Sequence, residues 1–135
     1  MRITADTNLL VRMATRDDER QARAAVQAVS TASQVMIPLP CVVEFVWVLE
    51  SVYGFTRGEI EAALRILVRM RNVVTDVTAI ETGLRVHASG GDFADGAIAA
   101  AGAAMGAETF MSFDRKAVSQ IKAAGLAAEL VTEQS

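Results

Sequence analysis

Cysteine is nearly absent from this 135-residue chain, and so are histidine, proline, tryptophan and tyrosine. With Cys41 alone, no internal disulfide can form, and its place in an apolar run suggests a buried thiol in a reducing compartment. A single histidine, His87, cannot anchor a Ser-His-Asp or Cys-His arrangement with any unambiguous partner, and it is read as a surface or helix-end residue. No apolar run is long enough to cross a bilayer, and Asp6 interrupts the start before an apolar leader could form. A soluble, cytoplasmic protein is expected. Positive charge is not in excess either: the net charge is −3, which gives no support to a broad non-specific grip on nucleic acid. Repeats, low-complexity blocks and linkers are missing, so one domain over residues 1–135 is expected.

What the chain does have is a globular composition, 52% hydrophobic and 21% charged. Short apolar runs alternate with stretches of helical periodicity. Strands are expected at Arg2–Ala5, Val35–Leu39, Val73–Val74, Thr109–Ser112 and Ala127–Val131. Between them, Asn8–Ala14, Glu19–Val29, Pro40–Tyr53, Arg57–Arg71, Ala79–Ala88, Phe93–Met105 and Arg115–Ala124 read as helices. The second of these presents Ala22, Ala25, Val26 and Val29 on one face. Alternation of this kind implies an α/β fold with a parallel sheet and helices on both faces. Active sites of such sheets lie beyond the carboxyl ends of the strands.

Four acids fall at places where carboxylates need an explanation. Asp6 follows the first strand and Asp114 follows the fourth. Glu44 lies in "CVVEFVWVLE", flanked by Val43, Val46 and Trp47, and a partly buried side chain with a partner is expected, Glu50 being the solvated acid of that helix. Asp95 follows the expected N-cap Asp92 by three residues and shares a face with Ile98, Ala99 and Gly102, which should pack on the sheet. Each of Asp6, Asp92, Asp95 and Asp114 also has a local use at a helix start. Gathered at one point, however, four carboxylates would repel one another and take up protons unless a divalent cation offset them. A Mg²⁺- or Mn²⁺-dependent phosphodiester hydrolase is the first hypothesis.

Three segments in order, "DTNLLVRMATRDDERQARAA", "PLPCVVEFVWVLESVYGFTRGEI" and "DFADGAIAAAGAAMGAETFMSFDRKAV", make the chain similar to PIN-domain ribonucleases, and more narrowly to VapC-type toxins of toxin–antitoxin pairs. The resemblance covers nearly the whole chain. It implies a PIN-like three-layer sandwich with a central parallel sheet of about four to five strands. It also implies that Asp6, Glu44, Asp95 and Asp114 bind one or two Mg²⁺ or Mn²⁺ ions and carry catalysis, with Asn8, Asp92 and Ser112 in support. An RNA substrate, a cognate VapB-type antitoxin and a homodimer follow from the same resemblance, with the helices Pro40–Tyr53 and Thr56–Arg71 as candidate partner surfaces. Two positions depart from the family's habit. Gly96 stands where Ala is usual, at an expected cost of up to about 1 kcal/mol of helix propensity, and Ser112 stands where Thr is usual, keeping the hydroxyl.

For RNA, Arg12, Arg16, Arg20 and Arg23 would align on a continuous helix, although Thr15 and Asp17-Asp18 break it, and Arg65 and Arg69 form a second pair. Arg12, near the first acid, is the candidate phosphate contact. The competing reading is a catalytically silent PIN-like interaction module, and the presence of all four acids argues against it. A receiver-like phospho-acceptor needs paired acids after the first strand. A haloacid-dehalogenase-type phosphatase needs a second Asp where Asn8 stands.

Overall fold

The computed structural model describes residues 1–133. Its elements run β1 (Arg2–Thr4), α1 (Thr7–Thr15), α2 (Glu19–Thr31), β2 (Gln34–Ile37), α3 (Leu39–Ser51), α4 (Arg57–Arg69), β3 (Val73–Thr75), α5 (Val77–Ala88), α6 (Phe93–Ala104), β4 (Phe110–Ser112), α7 (Arg115–Ala123) and β5 (Ala128–Leu130). Chain contacts group these into two compact units, Met1–Asp76 and the remainder from Val77. All five expected strands form. The expected α/β fold with parallel strand pairing is present, and the backbone hydrogen bonds group the strands as three and two.

In the first unit, β2 is the middle strand and pairs in parallel with β1 and β3, Val35 standing opposite both Ile3 and Val73. Val35 and Ile37 are buried, and the apolar stripes of four helices supply Leu10, Val29, Phe45, Leu49, Ile60 and Leu64 to the same core. Helix starts follow local chemistry. Asp18 caps α2 through the Gln21 amide, while Thr56 and Glu59 close a reciprocal capping box at α4. Pro40 sits in the first turn of α3, where its missing N–H costs nothing. Arg16, at φ 52°, terminates α1 and separates it from α2, so the expected arginine row is indeed interrupted. Helix α4 ends two residues before the expected Arg71. Asn72 ends the turn there, its Nδ2 donating to the carbonyls of Val29 and Ala32 at 2.8 and 3.0 Å.

The second unit packs α5, α6 and α7 with the parallel pair β4–β5, around Val86, Ala99, Val118, Ile121 and Ala128. Gly106 and Gly125 follow α6 and α7 with φ of 108° and 97°, the left-handed turn that glycine allows.

Three expectations about burial are corrected, and one about helix propensity. His87 is at a helix end, but it lies inside at 2% exposure, because the α5 face that carries Ile80, Leu84 and His87 turns inward. Val26 is 40% exposed, at the margin of the α2 stripe rather than within it. Ile98 is 55% exposed: α6 buries Phe93, Gly96, Ala97, Ala99 and Ala100, so of the expected packing face Ala99 is inside and Ile98 is not. Gly96 is required by packing. A Cβ there would lie 2.9 Å from the Gly83 Cα and 3.0 Å from the Thr82 carbonyl oxygen, so the propensity cost offsets a steric one.

Candidate active site

At the carboxyl end of β1 the chain turns directly into α1, and Asp6 occupies the turn. Its Oδ1 accepts the Leu9 amide at 2.9 Å as the N-cap of α1. The turn is tied to α3 through Cys41, whose Sγ donates to the Ala5 carbonyl at 3.5 Å and accepts from the Thr7 hydroxyl at 3.6 Å. Burial pushes the Cys41 thiol up, the Thr7 hydroxyl pulls it down, and the charges of Asp6 and Glu44 push it up further. The charges of both carboxylates therefore reach one thiol. The thiol is half-buried rather than buried and is held protonated, in keeping with an unreactive role.

Glu44 corrects one expectation. It is exposed, and no hydrogen bond or ion pair reaches it among the described residues. Helix α3 turns Val42, Phe45, Val46 and Leu49 inward, which leaves Glu44 and Trp47, 62% exposed, on the outer side. Asn8 is exposed in the first turn of α1, two residues from Asp6. Arg12 is committed elsewhere: its Nη1 pairs with Asp17 Oδ1 at 2.9 Å. Asp17 also accepts the Thr15 hydroxyl at 3.0 Å and the Tyr53 hydroxyl at 2.9 Å, and the Tyr53 bond is the main reason its carboxyl is held below the usual range.

The second unit carries the other acids. Asp92 caps α6, its Oδ1 accepting the Ala94 amide at 2.9 Å. Asp114 caps α7, its Oδ1 accepting from Lys116 N at 2.9 Å and Ala117 N at 3.2 Å. Ser112, the last residue of β4, accepts the Asp114 amide at 3.0 Å and so fixes the turn. Asp95 is half-buried in the first turn of α6 without a hydrogen bond among the described residues. Burial pushes its carboxyl up, and the charges of Asp92 and Asp114 push it further. These three acids share one field.

A raised folded-state pKa means the fold favours protonated Asp95. Its contribution to stability is complete below the ordinary aspartate value of about 3.9 and is lost as pH rises through the raised value. Metal-free stability should fall across that window, and Asp95→Asn should flatten the fall. Urea midpoints between pH 3 and 7 check this (on the order of that range, set by the aspartate value), and unchanged slopes in the variant would contradict it.

Every acidic donor here is a carboxylate oxygen, which suits a hard divalent cation. Asp6, Asp92 and Asp114 each spend Oδ1 on a cap, and Oδ2 takes no part in it. The uncompensated charge around Asp95 is what a cation would offset. Donor chemistry thus fits a metal, although among the described residues no three His, Cys, Asp or Glu side chains come together as a ready-made ligand cluster.

Two features were not anticipated from the sequence. Asp76 follows β3 as Asp6 follows β1, placing a further acid at the carboxyl edge of the three-stranded sheet; a run of only three strand residues gave little to locate it. On α7, Arg115 and Lys122 line one shallow groove with Val118, Ser119 and Leu130, and neither cation is in a described ion pair. Their spacing of seven, two helical turns, was the available signal.

The PIN domain family matches residues 3–124. No curated protein shows a significant match. Among solved structures, the chain is similar to VapC20 of Mycobacterium tuberculosis, described as a sarcin–ricin loop cleaving toxin, at 18% identity over 94% of this chain and 97% of that one, with a TM-score of 0.43.

Proposed function

This chain belongs to the PIN-domain family, and from that premise we propose that it is a Mg²⁺- or Mn²⁺-dependent endoribonuclease, the VapC-type toxin of a toxin–antitoxin pair. Residues 1–135 are read as one PIN domain, because a single family match runs through both compact units. The observation that carries the catalytic reading is the state of Asp95: half-buried, without a hydrogen bond among the described residues, and with its carboxyl pushed up first by burial and then by the charges of Asp92 and Asp114. A structural acid would be relieved by a partner, and this one is not.

In this reading Asp6, Glu44, Asp95 and Asp114 hold one or two ions. When bound, such an ion supplies an acidified water and offsets charge on the leaving oxygen. The chain's own contribution is to fix the carboxylates. The Leu9 amide orients Asp6, and the Lys116 and Ala117 amides orient Asp114. Ser112 holds the turn below Asp114, and Asp92 sets the first turn of α6 beneath Asp95. Asn8 is a supporting polar group beside Asp6. Arg12 is a further RNA contact in this reading, and it would have to leave Asp17 to serve.

The groove of Arg115 and Lys122 is a better-placed source of cations for the RNA backbone, since both extend from the helix that Asp114 caps. Changing both to Ala in an Asp6→Asn background should lower the salt-dependence slope of single-stranded RNA binding by about 1.4, at roughly 0.7 per phosphate contact. Fluorescence anisotropy across a salt series reads this slope, and an unchanged value removes the groove from the RNA path.

A VapB-type antitoxin and a second copy of the chain are the proposed protein partners, in a cytoplasmic setting. No helix among the described residues is long and apolar enough to cross a membrane. Apolar side chains of α1, α3 and α4, including Met13, Phe45 and Ile66, and Phe55 of the loop between α3 and α4 line an open groove in the first unit that suits a partner's apolar segment. The same groove favours the second reading, a catalytically silent interaction module. Cleavage of RNA by the purified protein, lost on removing Asp95, separates the two.

A further inference from the structure

We propose that Gly83 and Gly96 are positioning residues for Asp95: they let α5 and α6 meet backbone to backbone, and this contact sets where the Asp95 carboxylate stands. The inference rests on Asp95 being a catalytic ligand, as proposed above.

Two glycines, one on each helix, meet at the crossing of α5 and α6. A Cβ on Gly96 would lie 2.9 Å from the Gly83 Cα, 2.9 Å from Val86 Cγ2 and 3.0 Å from the Thr82 carbonyl oxygen. On Gly83 it would lie 2.6 and 2.8 Å from Phe93 ring carbons and 3.0 Å from the Phe93 carbonyl oxygen. Phe93 is the first residue of α6 and Gly96 is the neighbour of Asp95, so both contacts fall within the single turn that carries the acid. Contacts through side chains can be absorbed by a change of rotamer. Here the Gly83 Cα, the Thr82 oxygen and the Phe93 oxygen are backbone, and only movement of the helix relieves them. Restoring ordinary contact needs a displacement of about half an ångström, and a misplacement of about 1 Å can cost about 100-fold in rate. Asp95 has no hydrogen bond of its own to restore its position.

Gly102 supplies the control. It is in the same helix, and a Cβ there meets nothing nearer than the Ala107 Cβ at 3.9 Å. Gly102→Ala makes the same substitution in the same helix away from the crossing.

The test compares both variants with the parent by kcat and KM for RNA cleavage, by Mn²⁺ titration, and by the amide NMR signals of residues 92–95 in metal-free protein. Gly96→Ala should stay folded by circular dichroism, lose about 10- to 100-fold in kcat with KM nearly unchanged, bind Mn²⁺ about tenfold more weakly, and shift those amide signals. Gly102→Ala should match the parent in each. A folded Gly96→Ala with the parent's kcat and Mn²⁺ affinity overturns the inference. Should Gly96→Ala not fold, Gly83→Ala decides: its kcat should fall, and adding Phe93→Leu should restore part of it by removing the ring contact, whereas no change in either overturns the proposal. A parent that neither cleaves RNA nor binds Mn²⁺ sinks the ribonuclease reading instead. The positional claim then stands on the amide signals, and falls if they are unmoved in Gly96→Ala.

Discussion

Asp95→Asn should reduce RNA cleavage by at least ~100-fold, the scale on which loss of one preorganised charged or polar group acts in hydrolytic sites, while making the metal-free protein more stable. Most inactivating substitutions destabilise. Here the two effects separate because the native carboxylate is in a poor environment. It is half-buried, lacks a hydrogen bond, and is exposed to the charges of Asp92 and Asp114. An amide of the same shape removes the repulsion without opening a cavity. The gain should be largest near neutral pH, where all three acids seek to ionise, and should vanish well below the aspartate range. Thermal melts in EDTA and in Mn²⁺ check both halves: Mn²⁺ should raise the parent's midpoint and should raise the variant's less. A variant that melts lower than the parent in EDTA would mean that Asp95 makes a stabilising contact in the fold.

Phe93→Ala should cost about 3–5 kcal/mol, the usual toll for emptying a buried aromatic site. Phe93 is 1% exposed and stands on the bare backbone of Gly83, where a smaller side chain leaves a void against rigid main chain. The site cannot collapse easily, because α5 and α6 are already in backbone contact at Gly96. A loss of that size approaches the whole stability of many small domains. Urea titration measures it, and a cost under about 1 kcal/mol, as for a surface change, would show that the ring is not the wedge described.

Much of this was legible from the chain itself. Asp6, Asp92 and Asp114 each precede a helix, and each was found capping one, since Asp has a local reason to be there that needs no tertiary information. Strand positions were found to within a residue or two: β1, β2 and β3 carry β-branched residues and stop just before Asp6, Pro38 and Asp76. Burial was less legible. Glu44 was expected partly buried with a partner because its neighbours are apolar, yet Trp47 shares its outward side, and hydrophobicity alone does not say which face of a nearly all-apolar helix turns inward. His87 failed in the opposite sense, a polar residue drawn inside by its helix face. Gly96 shows why propensity misleads at a crossing: the glycine is costly for α6 taken alone and necessary for α6 against α5. The grouping of strands into three and two depends on which edges meet, and a three-residue strand carries almost no pairing information of its own.

The central claim is that these acids make a metal-dependent ribonuclease. Its most direct test is cleavage of total cellular RNA by the purified protein, with Mg²⁺ or Mn²⁺, with EDTA, and with the Asp6→Asn variant alongside. Discrete products that require the metal and disappear in the variant are the predicted result. A folded, antitoxin-free protein that leaves the RNA intact in either metal would contradict it.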